Sequence, residues 1–275
     1  MNKQVPKRHE KNMNQGKERR LKRIFQQDNR TVIVPMDHGV TIGPVKGITN
    51  MQTIINQLLK GKVDAVLVHK GIAKRVNAGN AGLIIQLSAM SSLSPNANNK
   101  VQVCTVQEAI RLGADAVSVH INVGAQDEDK MLTKLGKVAD ECDTYGMPLL
   151  AMMYARGPKI QNEHATEAVA HTARLGAELG ADIIKANYTG DTETFKLVIE
   201  SCPVPVVIAG GPKCKTSQEI LQTVHQAVKA GSAGLSIGRN VFQHENPTLM
   251  VKALSAIVHN DVSVEQALKI LGETG

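Results

Sequence analysis

The repeating unit of this chain is clearest in the stretch AELGADIIK, residues 177–185. Gly180 ends a helix there, because glycine readily adopts the left-handed backbone conformation found at helix C-termini. The residues that follow, Asp182–Lys185, form a short apolar run that predicts a strand buried on both faces. The same succession of helix, glycine and strand recurs at residues 109–115 and 227–233. A helix is therefore joined to a following strand in the same way several times along the chain.

Short apolar runs, rich in Val, Ile, Leu and Ala, alternate with helical patterns along the rest of the chain. Eight such runs predict strands, at Thr31–Met36, Asp64–His69, Gly82–Leu87, Asp115–His120, Pro148–Tyr154, Asp182–Lys185, Val204–Ala209 and Gly234–Ile237. Helices with an apolar stripe are predicted at Asn50–Leu59, Thr105–Leu112, Asp127–Tyr145, Thr166–Leu179, Thr192–Cys202 and Ser217–Lys229. Eight strand–helix units predict a (β/α)8 TIM barrel. An open doubly wound sheet is the alternative, but no GxGxxG motif follows the first strand.

The sequence predicts a single barrel domain, residues 16–275, preceded by a basic arm, residues 1–15. An extra helix is predicted before the first strand, at Lys17–Gln27, and a last helix at Val262–Leu271. The whole net charge of +7 lies in residues 1–30, which hold ten Lys or Arg and three Asp or Glu. Since the rest of the chain is neutral, this charge indicates a solvated, flexible arm and no nucleic-acid partner. An oligomer contact or an anionic partner are the alternatives for the arm.

The cysteines and the hydropathy of the chain indicate its compartment. Cys104, Cys142, Cys202 and Cys214 form no CxxC pair and no zinc spacing, so we expect small core residues in a reducing compartment. No apolar stretch approaches the ~20 residues that a membrane helix needs, and the N-terminus lacks the long apolar segment of a secretory signal. A cytoplasmic protein without membrane contact is therefore predicted.

Lys185 ends the sixth predicted strand and is the first candidate for chemistry. An ammonium group is costly to bury, so we expect its pKa to fall and its neutral amine to attack a ketone, forming a Schiff base. Asp37 follows strand one and Tyr154 ends strand five, and in such barrels the strand ends face one space. Schiff-base aldol chemistry needs such an acid, phenol and amine. Taken singly, Asp37 also fits a turn or helix N-cap, Tyr154 a half-buried aromatic bonded to the backbone, and Lys185 a lysine reaching water.

Two glycine-containing loops predict a phosphate site. Gly210 and Gly211 follow strand seven, and Gly238 and Arg239 follow strand eight. Loops at these two positions of a barrel commonly hold phosphate with backbone N–H groups, and an arginine can pair with it. Two such loops at these positions indicate a phosphate site more specifically than either loop does alone, so we expect a phosphorylated substrate.

The histidines do not predict a metal site. His38, His69 and His120 lack an HxxxH pattern on a helix and a clear set of carboxylate partners. We therefore expect His38 and His120 to form hydrogen bonds behind the reacting groups, and we expect neither a metal nor an organic cofactor.

Seven segments at the predicted strand ends carry a resemblance to a known family. They are residues 32–39 (VIVPMDHG), 69–72 (HKGI), 120–124 (HINVG), 152–157 (MMYARG), 185–190 (KANYTG), 209–213 (AGGPK) and 238–244 (GRNVFQH). In combination they resemble the archaeal-type class I, or Schiff-base, aldolases, and the similarity runs from about Gly16 to the C-terminus. The resemblance implies a TIM barrel and a large homo-oligomer, up to a decamer.

The resemblance also implies roles for the candidate residues. Lys185 would form the Schiff base, with Tyr154 as the proton donor and Asp37 as the proton acceptor. The substrate and its phosphate group would be lined by Thr41, Arg156, Gly210, Gly211, Gly238 and Arg239. The implied reaction transfers a three-carbon unit from a ketose phosphate, 6-deoxy-5-ketofructose 1-phosphate, to the aldehyde L-aspartate semialdehyde, on a route to aromatic compounds.

Departures from the family pattern leave other substrates open. Ala155 stands where the family has proline, which would loosen the turn that aims Tyr154, and Met90 in the stretch 88–92 would narrow the pocket. The loop 73–77 also differs. The alternative reactions join dihydroxyacetone phosphate to aspartate semialdehyde, cleave fructose bisphosphate, or transfer an acetyl group by thiolysis. A barrel that binds anions without catalysis is the non-enzymatic alternative.

Overall fold

Eight parallel strands close into a barrel at the centre of the computed structural model, which describes residues 14–273. In chain order the strands are β1 (Thr31–Pro35), β2 (Ala65–His69), β3 (Gly82–Gln86), β4 (Ser88–Ala89), β5 (Val101–Gln102), β6 (Ala116–Val123), β7 (Leu149–Ala155), β8 (Ile183–Ala186), β9 (Val206–Ala209) and β10 (Gly234–Ser236). The barrel order is β1-β10-β9-β8-β7-β6-β3-β2, while β4 and β5 form a separate antiparallel hairpin. The predicted TIM barrel is confirmed.

Helices surround the barrel. They are α1 (Gln15–Leu21), α2 (His38–Ile42), α3 (Met51–Lys60), α4 (Lys70–Ala73), α5 (Val106–Arg111), α6 (Glu128–Tyr145), α7 (Thr166–Glu178), α8 (Thr192–Ser201), α9 (Ser217–Lys229), α10 (Arg239–Phe242), α11 (Pro247–Asn260) and α12 (Val264–Leu271). Side-chain caps start several of them: Asn50, Thr105, Asp191 and Thr216 each accept a backbone N–H three residues on. The six predicted helices between strands are confirmed.

The helices predicted near the two ends of the chain need correction. The extra N-terminal helix is α1, which ends at Leu21 and not at Gln27, because turns replace the helix before β1. The sequence interpretation also missed α11, which starts at Pro247 behind an N-cap, Asn246. The helix predicted last, α12, therefore follows α11 and is additional to the eighth unit. The predicted arm lies outside the described residues except for its last two, which cap and begin α1.

The barrel interior is closed at the N-terminal ends of the strands. Leu21, Ile24 and Phe25, from α1 and the turn after it, pack against the apolar side chains that point into the barrel. All three are buried, with at most 7% of their surface exposed. A larger apolar cluster fills the space between the strands and the outer helices. The open end of the barrel is therefore the one where the strands finish, which is where barrel enzymes have their sites.

Lys17 joins α1 to the closed end of the barrel through ion pairs. Its side chain is only 6% exposed, and its Nζ lies 2.5 Å from Asp143 Oδ1 and 3.1 Å from Asp182 Oδ2. Asp182 immediately precedes β8 and also accepts the backbone N–H of Leu149 at 2.8 Å. Burying these charges is favourable only while they stay paired, because an unpaired buried carboxylate is costly.

We expect Lys17→Met to lower the free energy of unfolding by about 3 kcal/mol, because Asp182 would keep its burial and lose its cation. Chemical denaturation at fixed protein concentration measures this change. Lys22→Met is the matched control on the same segment, since the Lys22 side chain is 73% exposed and pairs with Glu18 at the surface. Equal stability of the two variants would contradict the role given to Lys17.

Candidate active site

Lys185 lies in β8 with its side chain inside the open end of the barrel. It is level with Met152 of β7 and Val207 of β9, and only 7% of the residue is exposed. Burial lowers the pKa of Lys185 to about 8; the carboxylate of Asp37 opposes this fall, while the charges of Arg239 and Arg156 add to it. Roughly one amine in ten is then uncharged at pH 7. The buried lysine expected from the sequence is present, and its amine is suited to attack a carbonyl group.

Asp37 occupies the N-cap position of α2, but its side chain does not cap that helix. Its Oδ2 accepts a hydrogen bond from Gln86 Nε2 at 3.4 Å, and its Oδ1 lies 3.6 Å from His38 Nδ1. Burial raises the pKa of this carboxyl group, but the positive charges of His38, Lys185 and His69 outweigh it and hold the pKa below its ordinary value. Asp37 is therefore a carboxylate able to accept a proton.

Tyr154 lies in β7 and is 7% exposed. Its ring packs against two cationic or polar neighbours, with Arg156 Cζ 4.6 Å from its centroid and the His120 ring at 5.0 Å. Burial raises the pKa of the phenol well above its ordinary value, so the group is protonated at neutral pH. Between Asn14 and Glu273 no residue forms a hydrogen bond with its hydroxyl group, which excludes the backbone-bonded alternative. Tyr154 is therefore able to donate a proton to a bound molecule.

Strand pairing continues past Tyr154 to the next two residues. β7 runs through Ala155, which is paired with Val123 of β6, and the next N–H, of Arg156, donates to Val123 O at 2.8 Å. The effect of Ala155 on the orientation of Tyr154 stays a prediction from the sequence. Arg156 Nε in turn donates to Glu163 Oε2 at 2.8 Å.

The loops after β9 and β10 lie close together and leave no room for side chains at two glycines. A Cβ on Gly238 would come within 2.5 Å of Pro35 O, and one on Gly210 within 2.6 Å of Ile237 Cγ2. Gly211 has φ +58°, the left-handed region that glycine tolerates best. Gly210 and Gly238 are therefore packed too closely against their neighbours to carry a side chain.

Arg239 joins the two loops. Its Nη2 donates to Gly211 O at 2.7 Å, and its buried Nε has no hydrogen-bond partner among the residues that the structure describes. A buried guanidinium N–H without an acceptor is costly, and an anion bound at the loops would remove that cost. The predicted phosphate-site residues are therefore brought together at one place.

The remaining candidate residues lie around the same opening. Thr41 is in α2, and its carbonyl accepts the N–H of Ser92 at 2.8 Å. The ring of His38 packs edge-on against Phe242 with centroids 5.2 Å apart, and His120 Nε2 lies 3.0 Å from Asn122 Oδ1. Burial lowers the pKa of both histidines, and the carboxylate of Asp37 opposes this fall at both rings.

The chain matches a known protein family over most of its length. Residues 31–244, from β1 to just past α10, match the DeoC/LacD family of aldolases. The chain belongs to the DeoC/LacD aldolase family. The resemblance noted from the sequence motifs is thereby confirmed at family level.

Relatives of this aldolase cover nearly its whole length. It is 45% identical over 259 residues, 94% of this chain and 97% of the relative, to 2-amino-3,7-dideoxy-D-threo-hept-6-ulosonate synthase of Halobacterium salinarum. It is 39% identical over 245 residues, 88% of this chain and 89% of the relative, to 2-amino-4,5-dihydroxy-6-oxo-7-(phosphonooxy)heptanoate synthase of Streptomyces griseus.

A solved structure shares the barrel of this aldolase. It is an archaeal fructose-1,6-bisphosphate aldolase whose catalytic lysine is covalently bound to the carbinolamine intermediate, with TM-score 0.83 and 33% identity, covering 88% of this chain and 99% of that one. The present aldolase is therefore an enzyme of the Schiff-base class. The alternative of a barrel without catalysis is set aside.

Three polar residues of the opening were not singled out from the sequence. Asn240 Nδ2 donates to Gly210 O and Pro212 O at 3.0 Å each, which fixes the loop after β9. Gln86, at the end of β3, contacts Asp37 as described above. Lys100 is buried in the segment after β4. A polar residue at the end of a buried strand was a usable signal for Gln86, but nothing in the local pattern marks the other two.

No group of three or more His, Cys, Asp or Glu in residues 14–273 is placed to hold a metal ion. No helix there combines the length and the apolar composition needed to cross a membrane.

Proposed function

We propose that this aldolase transfers a three-carbon unit from a phosphorylated ketose to L-aspartate semialdehyde through a Schiff base on Lys185. The observation that carries the proposal is the meeting of a buried amine of lowered pKa, a carboxylate and a protonated phenol at one opening. The 45% identity to 2-amino-3,7-dideoxy-D-threo-hept-6-ulosonate synthase supports the choice of acceptor. 6-Deoxy-5-ketofructose 1-phosphate is the proposed donor.

The first stage forms the iminium ion. The neutral amine of Lys185 attacks the donor carbonyl carbon, Asp37 takes a proton from the nitrogen, and Tyr154 gives a proton to the oxygen. Asp37 then returns its proton to the hydroxyl group of the carbinolamine, which leaves as water. The products of this stage are a cationic iminium group and a tyrosinate, so the charges balance.

The second stage exchanges one carbon–carbon bond for another. The tyrosinate removes the proton from the donor hydroxyl group whose carbon becomes the aldehyde. The carbon–carbon bond between that carbon and the one next to the iminium group then breaks. Its electron pair moves to the iminium nitrogen, which leaves an enamine on the enzyme and a free aldehyde. The enamine carbon then attacks the aldehyde carbon of the acceptor, and Tyr154 protonates the new alkoxide. Water hydrolyses the restored iminium group and frees Lys185.

The loops after β9 and β10 are the proposed phosphate site. Gly210, Gly211 and Gly238 would offer backbone N–H groups, and the unpartnered Nε of Arg239 would donate to a phosphate oxygen. Thr41 and Arg156 are proposed to line the rest of the substrate. His38 and His120 are proposed to support Asp37 and Tyr154, which they contact.

A sister reaction is the second candidate for the same site. In it the donor is dihydroxyacetone phosphate and the product keeps the phosphate group, as the name of the Streptomyces griseus relative indicates for that protein. The same catalytic set would also serve fructose-bisphosphate cleavage, the activity named for the solved structure.

A substrate panel tests the proposal. The wild-type enzyme is incubated with each of the three donor ketoses and with either L-aspartate semialdehyde or glyceraldehyde 3-phosphate, and the products are identified by mass. A seven-carbon amino-keto acid without phosphate is expected from the first donor. A phosphorylated seven-carbon product would select the sister reaction, and products only from glyceraldehyde 3-phosphate would reject both.

The rate of Schiff-base formation is expected to rise about tenfold per pH unit below the pKa of Lys185, and to level off above about 8. The sign follows from the amine, which is unreactive as ammonium at low pH and nucleophilic once it loses its proton. Hydride trapping of the donor on the enzyme, followed by mass, measures the profile. A midpoint near 10.5, the ordinary lysine value, would contradict it.

Four features stay predictions from the sequence. They are the working of the enzyme without a metal or organic cofactor, its homo-oligomeric state up to a decamer, its cytoplasmic location, and the flexible arm at residues 1–15.

A further inference from the structure

The segment between β7 and α7, residues 156–165, is joined to the end of β8 by two hydrogen bonds. Asn187 Nδ2 donates to Glu163 O at 3.3 Å, and His164 Nδ1 donates to Tyr188 O at 2.9 Å. Asn187 is only 7% exposed and lies two positions after the proposed Schiff-base lysine. The backbone of Glu163 is therefore held beside the strand that carries the reacting amine.

The side chain of Glu163 reaches back to the end of β7. Its Oε2 accepts a hydrogen bond from Arg156 Nε at 2.8 Å, and Arg156 Cζ lies 4.6 Å from the centroid of the Tyr154 ring. Between Asn14 and Glu273, the carboxylate of Glu163 is the only group that forms a hydrogen bond or an ion pair with this guanidinium group. One carboxylate therefore holds the cation in its place over the phenol.

The stability of the fold gives little reason for this ion pair. The side chains of Arg156 and Glu163 are 38% and 39% exposed, and water screens ion pairs at such sites. A second pair on α7 has a similar contact, since Arg174 Nε lies 2.6 Å from Glu178 Oε1. The first pair differs from the second in its position, because its cation lies over an aromatic ring at the opening of the barrel.

A cation over the ring favours the anionic form of the phenol. Burial raises the pKa of Tyr154, the charge of Arg156 opposes this rise, and the charges of Asp37 and Glu163 add to it. Glu163 therefore acts on the phenol in two opposite ways, through its own charge and through the cation that it holds, and the cation has the larger effect. In the proposed reaction Tyr154 becomes a tyrosinate when it gives its proton to the carbinolamine oxygen.

We propose that Glu163 is a positioning residue, which holds the guanidinium group of Arg156 over Tyr154 so that the cation stabilises the tyrosinate formed together with the iminium ion. The inference rests on the proposed function and adds to it a residue that acts on the proton donor. Glu163 takes no part in proton transfer in this scheme, because its effect passes through Arg156. Arg156 thereby has a role in the first stage besides lining the substrate.

Glu163→Leu tests the proposal, because leucine keeps roughly the size of the side chain and removes the hydrogen-bond acceptor. Iminium formation is measured by hydride trapping at saturating 6-deoxy-5-ketofructose 1-phosphate and, separately, at saturating dihydroxyacetone phosphate. The assays are run at about pH 9, above the pKa of Lys185 of about 8, so that the amine is mostly neutral. We expect the trapping rate to fall about 10-fold. Glu163→Gln is expected to recover part of this loss, since its amide oxygen can accept the same hydrogen bond.

Two double-variant cycles show which group Glu163 acts through. In Arg156→Met the cation is absent, so the addition of Glu163→Leu is expected to cause no further loss. In Tyr154→Phe no tyrosinate forms, so the addition of Glu163→Leu is expected to leave the residual trapping rate as it is. Arg156→Met alone is expected to lose at least as much rate as Glu163→Leu, which tests the same contact from its other side if the leucine variant does not fold.

Glu178→Leu is the matched control for Glu163→Leu. It removes the carboxylate partner of Arg174 Nε from an exposed pair that lies on a helix and contacts no aromatic ring of the opening. We expect this control to trap the donor at the wild-type rate. The thermal midpoints of both variants are expected close to that of the wild type, because exposed ion pairs contribute little to stability.

Each other outcome overturns a specific statement. A loss that persists in both the Arg156→Met and the Tyr154→Phe backgrounds would show that Glu163 only supports the fold near the opening. A loss that disappears with Arg156→Met but persists with Tyr154→Phe would assign the pair to substrate binding and reject its effect on the phenol. Trapping at the wild-type rate in Glu163→Leu would reject this inference alone. A wild-type enzyme that neither ketose phosphate labels would reject the proposed function, and this inference with it.

Discussion

Lys185→Met is expected to lower kcat/KM by about 10⁵-fold or more, because the whole proposed pathway runs through the nitrogen that this substitution removes. Methionine keeps the length and apolar character of the buried side chain, so we expect the barrel to stay folded. After incubation with donor and borohydride, the mass of the variant should be unchanged, whereas the wild type should gain the reduced donor at Lys185. Steady-state assays with both substrates give the rate.

The control for this variant is Lys196→Met in α8, a lysine on the neighbouring helix that is 48% exposed and pairs with Glu200. It is expected to keep wild-type rate and labelling. Product formation by Lys185→Met at the wild-type rate would reject the Schiff-base mechanism. Loss of rate together with loss of the circular dichroism signal would show that Lys185→Met misfolds. The chemically similar Lys185→Arg would then be the test variant in its place.

Tyr154→Phe is expected to lower kcat by about 10²- to 10⁴-fold, the range for removal of a general acid or base. The ring would keep its contacts with Arg156 and His120, and the lost hydroxyl group has no hydrogen-bond partner within the described structure. Stability should therefore stay close to that of the wild type. Rapid-quench measurement of product formation, next to thermal unfolding, separates the two effects.

Tyr145→Phe provides the comparison for Tyr154→Phe. Tyr145 ends α6, is 42% exposed, and its hydroxyl group lies 3.3 Å from Gln107 Nε2. The same atom is removed far from the opening, and we expect full activity. If Tyr154→Phe were as active as this control, proton transfer at the substrate oxygen would have to be assigned to another group.

The barrel was predictable from the sequence because its signal is local and repeated. Gly180 and its counterparts end helices, and each is followed by an apolar run too short and too uniform for anything but a buried strand. α11 carries the same kind of signal, which the sequence interpretation overlooked. It packs against α3, α9 and α12 with one buried face, and Thr248, Lys252, Ser255 and His259 form a polar stripe on the opposite face. The two-residue strands β4 and β5 are too short to show any periodicity.

The placement of Asp37, Tyr154 and Lys185 was predictable because parallel strands of a barrel all finish at one rim. Residues in loops follow no such rule. Asn98 lies beside β6 because Asn122 donates a hydrogen bond to its carbonyl, and Asn240 contributes only through the loop it contacts. Those positions depend on hydrogen bonds between residues far apart in the chain, which local sequence patterns do not contain.

The apolar side chains of Leu21, Ile24 and Phe25, which close the N-terminal end of the barrel, have a consequence for the kinetics. With one end of the barrel sealed, molecules enter and leave through a single mouth, so in the proposed reaction the aldehyde fragment cut from the donor departs before the second substrate takes its place. We expect this turnover to be ping-pong, with parallel lines in double-reciprocal plots. The departing fragment and the proposed acceptor, L-aspartate semialdehyde, would then compete for the same covalent form of the enzyme.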